Sequence, residues 1–348
     1  MTERRKIKWL IAHFPQYLFV RTAKAFSLEL EQLCPGEFEI EILTMDQYAD
    51  KYNKYHEFKL NPPNIKGLDG KEDFGTDENR ATTWSESTKK WPILFKALGD
   101  DEFQLSQTQV SIIGHVLDKN FHAIDLPFLF DDHDHVTRVL DGKIGDYLCQ
   151  EIGKKTPVTG LAFTYSGGYR VIGSNQKITN LTELANTKLL THTAHSDKLF
   201  EGIGADPVRK FKLSGDELAD VAKDENASIE TTYLRFNGKH VYKTEHSMFT
   251  TSILTGNKFW ASLTDKQQEA FRIAAKKTAK HERKWSVADA KKYEALAVEN
   301  GVEIVNITPE DRATLQQAAT KTYEQLESMN IDPVLVKAII AQGNKNVH

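Results

Sequence analysis

The sequence predicts an α/β protein with two domains braced by one long helix. Strand-like and helix-like segments alternate along the chain, which is typical of α/β architecture. The 348 residues exceed what one hydrophobic core usually organises, so two domains are expected. A proline-free run of helix formers from Thr264 to Gly301 predicts the long helix.

The chain opens with a predicted β-α-β unit. The apolar run Ile7–His13 predicts a strand. Residues from Tyr17 to Leu33 predict a helix, because apolar side chains recur there at steps of three and four and form one stripe. Pro35 and Gly36 end this helix. Phe38–Ile42 alternates apolar with acidic residues, which is typical of a half-buried strand.

The middle of the chain is less regular. Between Lys51 and Gly99 the pattern dissolves into Asn, Pro, Gly, Asp and Lys, which predicts a long insertion; Trp84 and Trp91 within it indicate that it packs on another part of the protein. Apolar runs predict further short strands at Val110–Ile113, Gly160–Tyr165, Lys188–His192 and Val302–Ile307.

Two helix starts carry recognisable caps. Thr264 followed by Gln267 forms a capping box, and Gly301 is a natural C-terminal stop. At about 1.5 Å per residue the enclosed helix exceeds about 50 Å, enough to brace two lobes. Thr308 followed by Pro309 and two acids predicts another helix start, since threonine caps and proline fits the first turn.

Composition excludes several classes of function. The formal net charge is −4 and no long basic tract occurs, which argues against nucleic acid as a partner. Apolar runs fall far below the roughly 18 to 20 residues that span a bilayer, so no direct membrane insertion is expected. The start Thr2–Ala12 resembles a leader peptide, but its apolar part is too short and no small-residue cleavage site follows, so a first core strand is expected instead. If the protein is exported, its leader is expected to be missing from this chain. Cys34 and Cys149 fit either one bridge or two free thiols.

A set of motifs, taken in order, resembles a known family of transport receptors. These motifs are QTQVSIIGHV (107–116), AIDLPFLFDDHDHVTRVLDG (123–142), GYRVIGSNQKITNLTEL (168–184), GADPVRKF (204–211), SIETTY (228–233), VYKTEHSMFTTS (241–252) and FWASLTDKQQEAFRIAAKK (259–277). Their order and spacing resemble the extracytoplasmic solute receptors of tripartite ATP-independent periplasmic (TRAP) transporters. The resemblance covers most of the chain.

The resemblance implies a two-lobed periplasmic-binding-protein-like fold, with a ligand cleft between the lobes and a long bracing helix. It places residues 1–164 and about 250–290 in the N-terminal lobe, with the insertion at about 51–99. Residues 165–249 and about 291–348 then form the second lobe. The lobes are expected to close about the strands near 158–165 and 248–254.

The resemblance also implies a function and partners. The expected protein is a monomeric, periplasmic or otherwise extracytoplasmic carrier that presents a small polar or anionic solute to a TRAP-type membrane permease. No catalytic residue, cofactor or metal ligand is assigned.

A buried carboxylate ligand requires a cationic partner, and Arg170 is the best candidate because its guanidinium offers a planar fork of donors. It follows Ser166-Gly167-Gly168, which predicts a flexible turn where the chain crosses between lobes. The resemblance implies a second arginine about twenty residues on, where this chain has Leu190. His192, His195 or Lys212 are candidates to replace that charge.

Other residues are assigned to the cleft by the resemblance. Glu230 matches the acid of a Glu-Asn pair, and Thr231 replaces its asparagine, which exchanges an amide for a hydroxyl. His115 and the turn that contains Phe14 and Gln16 are expected to face the ligand from the N-terminal lobe.

Two other functions stay open from sequence. A related receptor could pass its closed state to a sensor instead of a permease. A metal-dependent enzyme could be built on Asp131–His135, whose acids and histidines are possible ligands. The same acids can instead cap a helix, and His133 and His135 would point in different directions on it.

Overall fold

The computed structural model describes residues 3–12, 16–54, 91–208, 223–229 and 239–343; side chains are not described at 16, 17 and 223–227. The strands are β1 Arg5–Ile11, β2 Phe38–Thr44, β3 Leu105–Gln109, β4 Val158–Tyr169, β5 Val171–Ser174, β6 Leu189–Leu190, β7 Pro207–Val208, β8 Lys223–Ala227, β9 His240–Lys243, β10 Met248–Gly256 and β11 Glu303–Asn306.

The labelled helices are α1 Gln16–Leu33, α2 Met45–Tyr52, α3 Val110–Val116, α4 His133–Asp141, α5 Lys143–Lys155, α6 Leu181–Ala185, α7 Ala194–Glu201, α8 Asn257–Ala261, α9 Asp265–Glu299, α10 Pro309–Tyr323 and α11 Pro333–Ile340. Residues 91–99 are also helical, and 3-10 turns span Lys119–Ile124 and Glu327–Met329. None of the described helices has the length and apolar character needed to cross a bilayer.

The described strands form two sheets. The first has the order β2-β1-β3-β10-β4, with β1 parallel to both its neighbours and β10 antiparallel to β3 and β4. The second has the order β11-β9-β5-β8-β6-β7. Because β4 belongs to the first sheet and β5 to the second, the chain crosses between sheets at residue 170. It crosses back between β9 and β10.

The predicted opening unit is confirmed as β1, α1 and β2. Phe26 and Trp9 meet edge to face with ring centroids 5.1 Å apart, which packs α1 on β1. His13 at the end of the predicted first strand lies outside the described residues.

The strand predicted at Val110–Ile113 is wrong, since these residues begin α3. The strand is the preceding segment, β3, whose sequence LSQTQ is mostly polar and yet fully buried. Its polar side chains are paired inside the protein: the Ser106 hydroxyl donates to Leu10 O, and the Gln107 amide donates to Glu282. Tertiary hydrogen bonds therefore override the β propensity of the following apolar run.

The remaining predicted strands near 160, 188 and 302 are confirmed as β4, β6 and β11, with β6 reduced to two residues. Within the predicted insertion, residues 91–99 are helical, and Trp91, Leu94 and Phe95 are buried in a core cluster. Trp84 and residues 55–90 lie outside the described part. Both cysteines are free thiols.

The long helix α9 spans 35 residues and begins with the predicted capping box, in which Thr264 accepts from Gln267 N and the Gln267 side chain reaches back. It packs on α1 and β4 of the first sheet and on β11 of the second. Near its end, Glu294 accepts from Lys243 of β9 at 3.0 Å. The bracing role predicted for this helix is confirmed.

Candidate ligand-binding site

Two of the chain crossings between the sheets, β4–β5 and β9–β10, lie side by side. Arg170 N donates to Ser247 O at 2.8 Å and so joins the β4–β5 crossing to the β9–β10 crossing. Before it, residues 166–168 form an irregularity in the pairing of β4 with β10, where Tyr165 opposes Thr250 and Tyr169 opposes Met248. Gly167 and Gly168 have φ of +76° and +79°, which glycine adopts without strain. The predicted turn is therefore a bulge within β4.

The Arg170 side chain is buried and paired inside the protein. Its Nη2 donates to Asp125 Oδ1 at 2.8 Å, and the two side chains are only 2% and 1% exposed. Its guanidinium carbon lies 5.3 Å from the ring centroid of Phe249. Arg170 Nε is buried and has no hydrogen-bond partner among the described residues. The guanidinium therefore has its charge balanced by Asp125, and its Nε donor is unused among the described residues.

Two histidines complete a cluster around Asp125. His195 Nε2 lies 3.5 Å from Asp125 Oδ2, and the ring centroids of His122 and His195 are 5.2 Å apart. His122 also packs its ring against Gly114, where any Cβ atom would clash. Burial, and next the neighbouring His195, lower the pKa of His122 to about 3, so its imidazole is neutral at physiological pH.

The cluster takes residues from both sides of the molecule. His122 lies in the 3-10 turn that follows α3, and Asp125 comes directly after this turn; both follow strand β3 of the first sheet. His195 is in the first turn of α7, which connects β6 and β7 of the second sheet. Thr193 caps α7 by accepting from Ser196 N, which holds His195 in place. Its position between the sheets makes this cluster the candidate site.

The other predicted site residues are distributed around this cluster. His192 is buried between β6 and the cap of α7. Leu190 is half-buried in β6, opposite Val208 and Asp224. His115 is exposed on α3 and is among the charges that lower the pKa of His122. Phe14, Lys212, Glu230 and Thr231 lie outside the described residues, and Gln16 begins α1 without a described side chain.

The geometry does not favour metal chemistry on Asp131–His135. Asp132 caps α4 by accepting from His135 N at 2.7 Å. Both ring nitrogens of His135 are engaged, Nδ1 with Asp131 N at 3.2 Å and Nε2 with Ile339 O at 2.9 Å. This segment therefore begins a helix, as the capping interpretation predicts.

Sequence reasoning missed Asp125 and His122 as members of the site. Asp125 interrupts the apolar run from Ala123 to Phe130, and an acid in a buried apolar run indicates a paired charge. That signal was available from the sequence. His122 carries no comparable signal, because Gly114 and His195, which contact its ring, lie on the separate helices α3 and α7.

The chain matches the model of the family DctP, described as bacterial extracellular solute-binding protein, family 7, over residues 93–211 and 226–329. Among curated relatives, the C4-dicarboxylate-binding periplasmic protein DctP of Shewanella loihica is 25% identical over 234 residues, which cover 65% of this chain and 68% of the relative. DctP of Rhodobacter capsulatus is 21% identical over 218 residues, 60% of this chain and 64% of the relative.

Solved structures show the same fold. The sugar acid binding protein DctPAm of Advenella mimigardefordensis, in complex with galactonate, superposes with a TM-score of 0.74 at 18% identity and covers 98% of each chain. A TRAP periplasmic solute-binding protein of Shewanella oneidensis with bound succinate has a TM-score of 0.70 at 16% identity, with 98% of this chain and 100% of that chain covered.

Proposed function

Because the chain belongs to the DctP family of bacterial extracellular solute-binding proteins, we propose that it captures a small organic anion between two closing lobes and delivers it to a TRAP-type membrane permease. The family is one of transport receptors and not of enzymes. We infer that the protein acts as a monomer in the periplasm, without catalysis of its own. The first sheet and the second sheet are the cores of the two lobes in this proposal.

The observation that carries the proposal is the buried guanidinium of Arg170 at the crossing between the sheets. A buried N–H donor without an acceptor is costly, by about 1–3 kcal/mol, so Arg170 Nε is available to an incoming acceptor. A carboxylate there would receive a charge-assisted hydrogen bond, which is stronger than a neutral one. Asp125 would hold the guanidinium in position before the solute arrives.

Closure follows from where the polar groups lie. His195 approaches Asp125 from α7 on the far side of the cleft, so a solute seated beside Arg170 would touch elements of both lobes. Contacts from both lobes favour the closed state by their differential affinity for it. We propose that the remaining contacts come from the other predicted cleft residues: His115, His192, Leu190, Lys212, Glu230, Thr231, Phe14 and Gln16.

The proposed solute class is a small carboxylic acid. Structurally similar proteins are described with bound succinate, D-glucuronate and galactonate, and these three compounds share a carboxylate. The arginine fork recognises that group regardless of the rest of the solute. The chain has Leu190 where the resemblance implies a second arginine, so we expect a different set of preferred acids from those of the relatives.

A thermal-shift screen tests the proposal, with isothermal titration calorimetry on each acid that stabilises the protein. The panel contains succinate, galactonate, glucuronate and sn-glycerol 3-phosphate, with uncharged sugars as controls. Millimolar solute with micromolar affinity should add about 4 kcal/mol of stability. Stabilisation by uncharged sugars alone would contradict the anion assignment.

Arg170→Ala should weaken binding of the best acid by about tenfold or more, since one charge-assisted hydrogen bond contributes about 1.5–3 kcal/mol. Arg170→Lys is the matched control, because lysine keeps the charge and loses the planar fork; we expect it to fall between wild type and Arg170→Ala. Circular dichroism and unfolding curves establish that each variant is folded. An unchanged dissociation constant in a folded Arg170→Ala variant would remove Arg170 from the site.

A further inference from the structure

We propose that His122, Asp125 and His195 form a binding site for a divalent transition-metal ion such as Zn²⁺. The three residues bring one ligand atom each to within 4.8 Å of one another. Two imidazoles and one carboxylate are a common set of protein ligands for zinc, which binds nitrogen at about 2.0–2.1 Å and oxygen at about 2.0–2.2 Å. None of the three residues belongs to Asp131–His135.

The first argument is that two polar atoms of the cluster lack a hydrogen bond. His122 Nδ1 and Asp125 Oδ2 are buried, and neither has a hydrogen-bond partner among the described residues. Buried polar groups in proteins are rarely left in this state, because a buried polar atom without a hydrogen bond destabilises the fold. Asp125 Oδ2 carries lone pairs, and so does His122 Nδ1 in the tautomer that is protonated at Nε2. Lone pairs of this kind are what a cation held by the cluster binds.

The second argument is the spacing of the ligand atoms. His195 Nε2 lies 3.5 Å from Asp125 Oδ2, which is long for a charge-assisted hydrogen bond, normally about 2.7–2.9 Å. In a tetrahedral zinc site with metal–ligand bonds of about 2.0–2.1 Å, neighbouring ligand atoms are about 3.3 Å apart. The observed separation is therefore close to that of two ligands on one ion.

The hydrogen bonds around the cluster agree with this assignment. Arg170 donates to Asp125 Oδ1 and leaves Oδ2 for the ion. Ligating carboxylates are usually held by a hydrogen bond of this kind, which fixes their orientation.

The charges around the ion indicate that its fourth ligand is an anion. Asp125 carries one negative charge and Arg170 cancels it, so a bound divalent ion would leave two positive charges in a buried place. Three protein ligands also leave a fourth position open, as in zinc sites that bind a further ligand. On the basis of the proposed function, we assign this position to the carboxylate of the solute, whose direct approach to Asp125 would otherwise meet a like charge.

The ion would also join the two lobes. His122 and Asp125 belong to the side of the first sheet, and His195 to that of the second. An ion held by all three would bind the closed state better than the open one, which is the differential affinity that closure requires.

The test uses the full chain without a histidine tag, stripped with EDTA and dialysed. Zn²⁺ binding is measured by competition with a chromophoric chelator, and Co²⁺ is used as a spectroscopic probe because its visible bands report nitrogen and oxygen ligation. We expect one ion per chain for wild type and at least a tenfold loss of affinity in both His122→Gln and His195→Gln. His281→Gln, which changes an exposed histidine on α9, is the control and should bind like wild type.

Equal Zn²⁺ affinity in wild type, His122→Gln and His195→Gln would overturn the site, and so would the lack of Zn²⁺ and Co²⁺ binding by wild type. The acid panel is then titrated with and without Zn²⁺. Acid binding that is indifferent to Zn²⁺ would remove the bridging role but leave the proposed function intact. Zn²⁺ binding without any acid binding would support the metal site and count against the proposed solute class.

Discussion

Glu282 leads to a quantitative prediction of how stability depends on pH, because its carboxyl group is buried where α9 packs on the first sheet. Its two oxygens accept from Gln107 Nε2 at 2.9 and 3.0 Å, and the Ser166 hydroxyl also donates to it. The side chain is almost fully buried. Burial outweighs these hydrogen bonds and raises the pKa of Glu282 from 4.5 to about 7.

The sign of the pH dependence follows from the raised pKa. The unfolded chain releases the proton near pH 4.5, but the folded protein keeps it until about pH 7. The contribution of this group to the free energy of unfolding is therefore fully present below about pH 4.5 and is lost as the pH rises through about 7. The difference between the two pKa values corresponds to about 3 kcal/mol.

Glu282→Gln isolates the contribution of this carboxyl group to the pH dependence of stability, since glutamine keeps the size of the side chain and does not titrate. Urea unfolding of both proteins is measured from pH 4.5 to 8, with fluorescence and circular dichroism as two probes of one transition. We expect the stability of the variant relative to wild type to rise by about 3 kcal/mol over this range, because other groups titrate alike in both. A relative stability that stays constant with pH would refute the reasoning.

Three further predictions concern other contacts. Asp125→Asn leaves the buried Arg170 charge without its partner and should cost about 3–5 kcal/mol in urea unfolding; the double variant with Arg170→Gln should cost clearly less than the two single variants together, and strict additivity would contradict the pair. Thr264→Ala removes the cap of α9 and should lower unfolding free energy by about 1 kcal/mol, with Thr264→Ser as the control that keeps the hydroxyl; equal losses in both would exclude the cap as the cause. Burial raises the pKa of Cys149 to about 12, so alkylation at pH 8 should be much slower in native protein than in urea, and equal rates would show that the thiol is accessible.

Much of the fold could be predicted from local pattern. In the stripe of α1, in the capping box of α9 and in the cap of α10, the residues that act together lie three or four positions apart along the chain. Short-range geometry therefore explains each of these features. The strand β3 could not be predicted in this way. Its polar residues are stable in the core only because partners from β1 and α9 reach them, and those partners are far away in sequence.

The candidate site, like the fold, could be predicted from sequence only in part. Arg170 could be selected from sequence, because a cationic fork beside two glycines at a chain crossing fits the binding of an anion. Its pairing with Asp125 could not be predicted from sequence. This pairing changes the interpretation of Arg170 from a free cation to one whose charge is balanced and whose Nε donor is unused among the described residues. The contributions of Glu230, Thr231 and Lys212 stay predictions.

The sequence by itself determined the α/β class, the long brace and the membership of a family of solute receptors, because these depend on periodicity, caps and ordered motifs. Only the tertiary structure decided which charges neutralise each other and which polar atoms remain unused. It brings His122, Asp125 and His195 together from elements of two different sheets. Coulomb and hydrogen-bond energies depend on distance through space and on burial, and neither quantity can be read from separation along the chain.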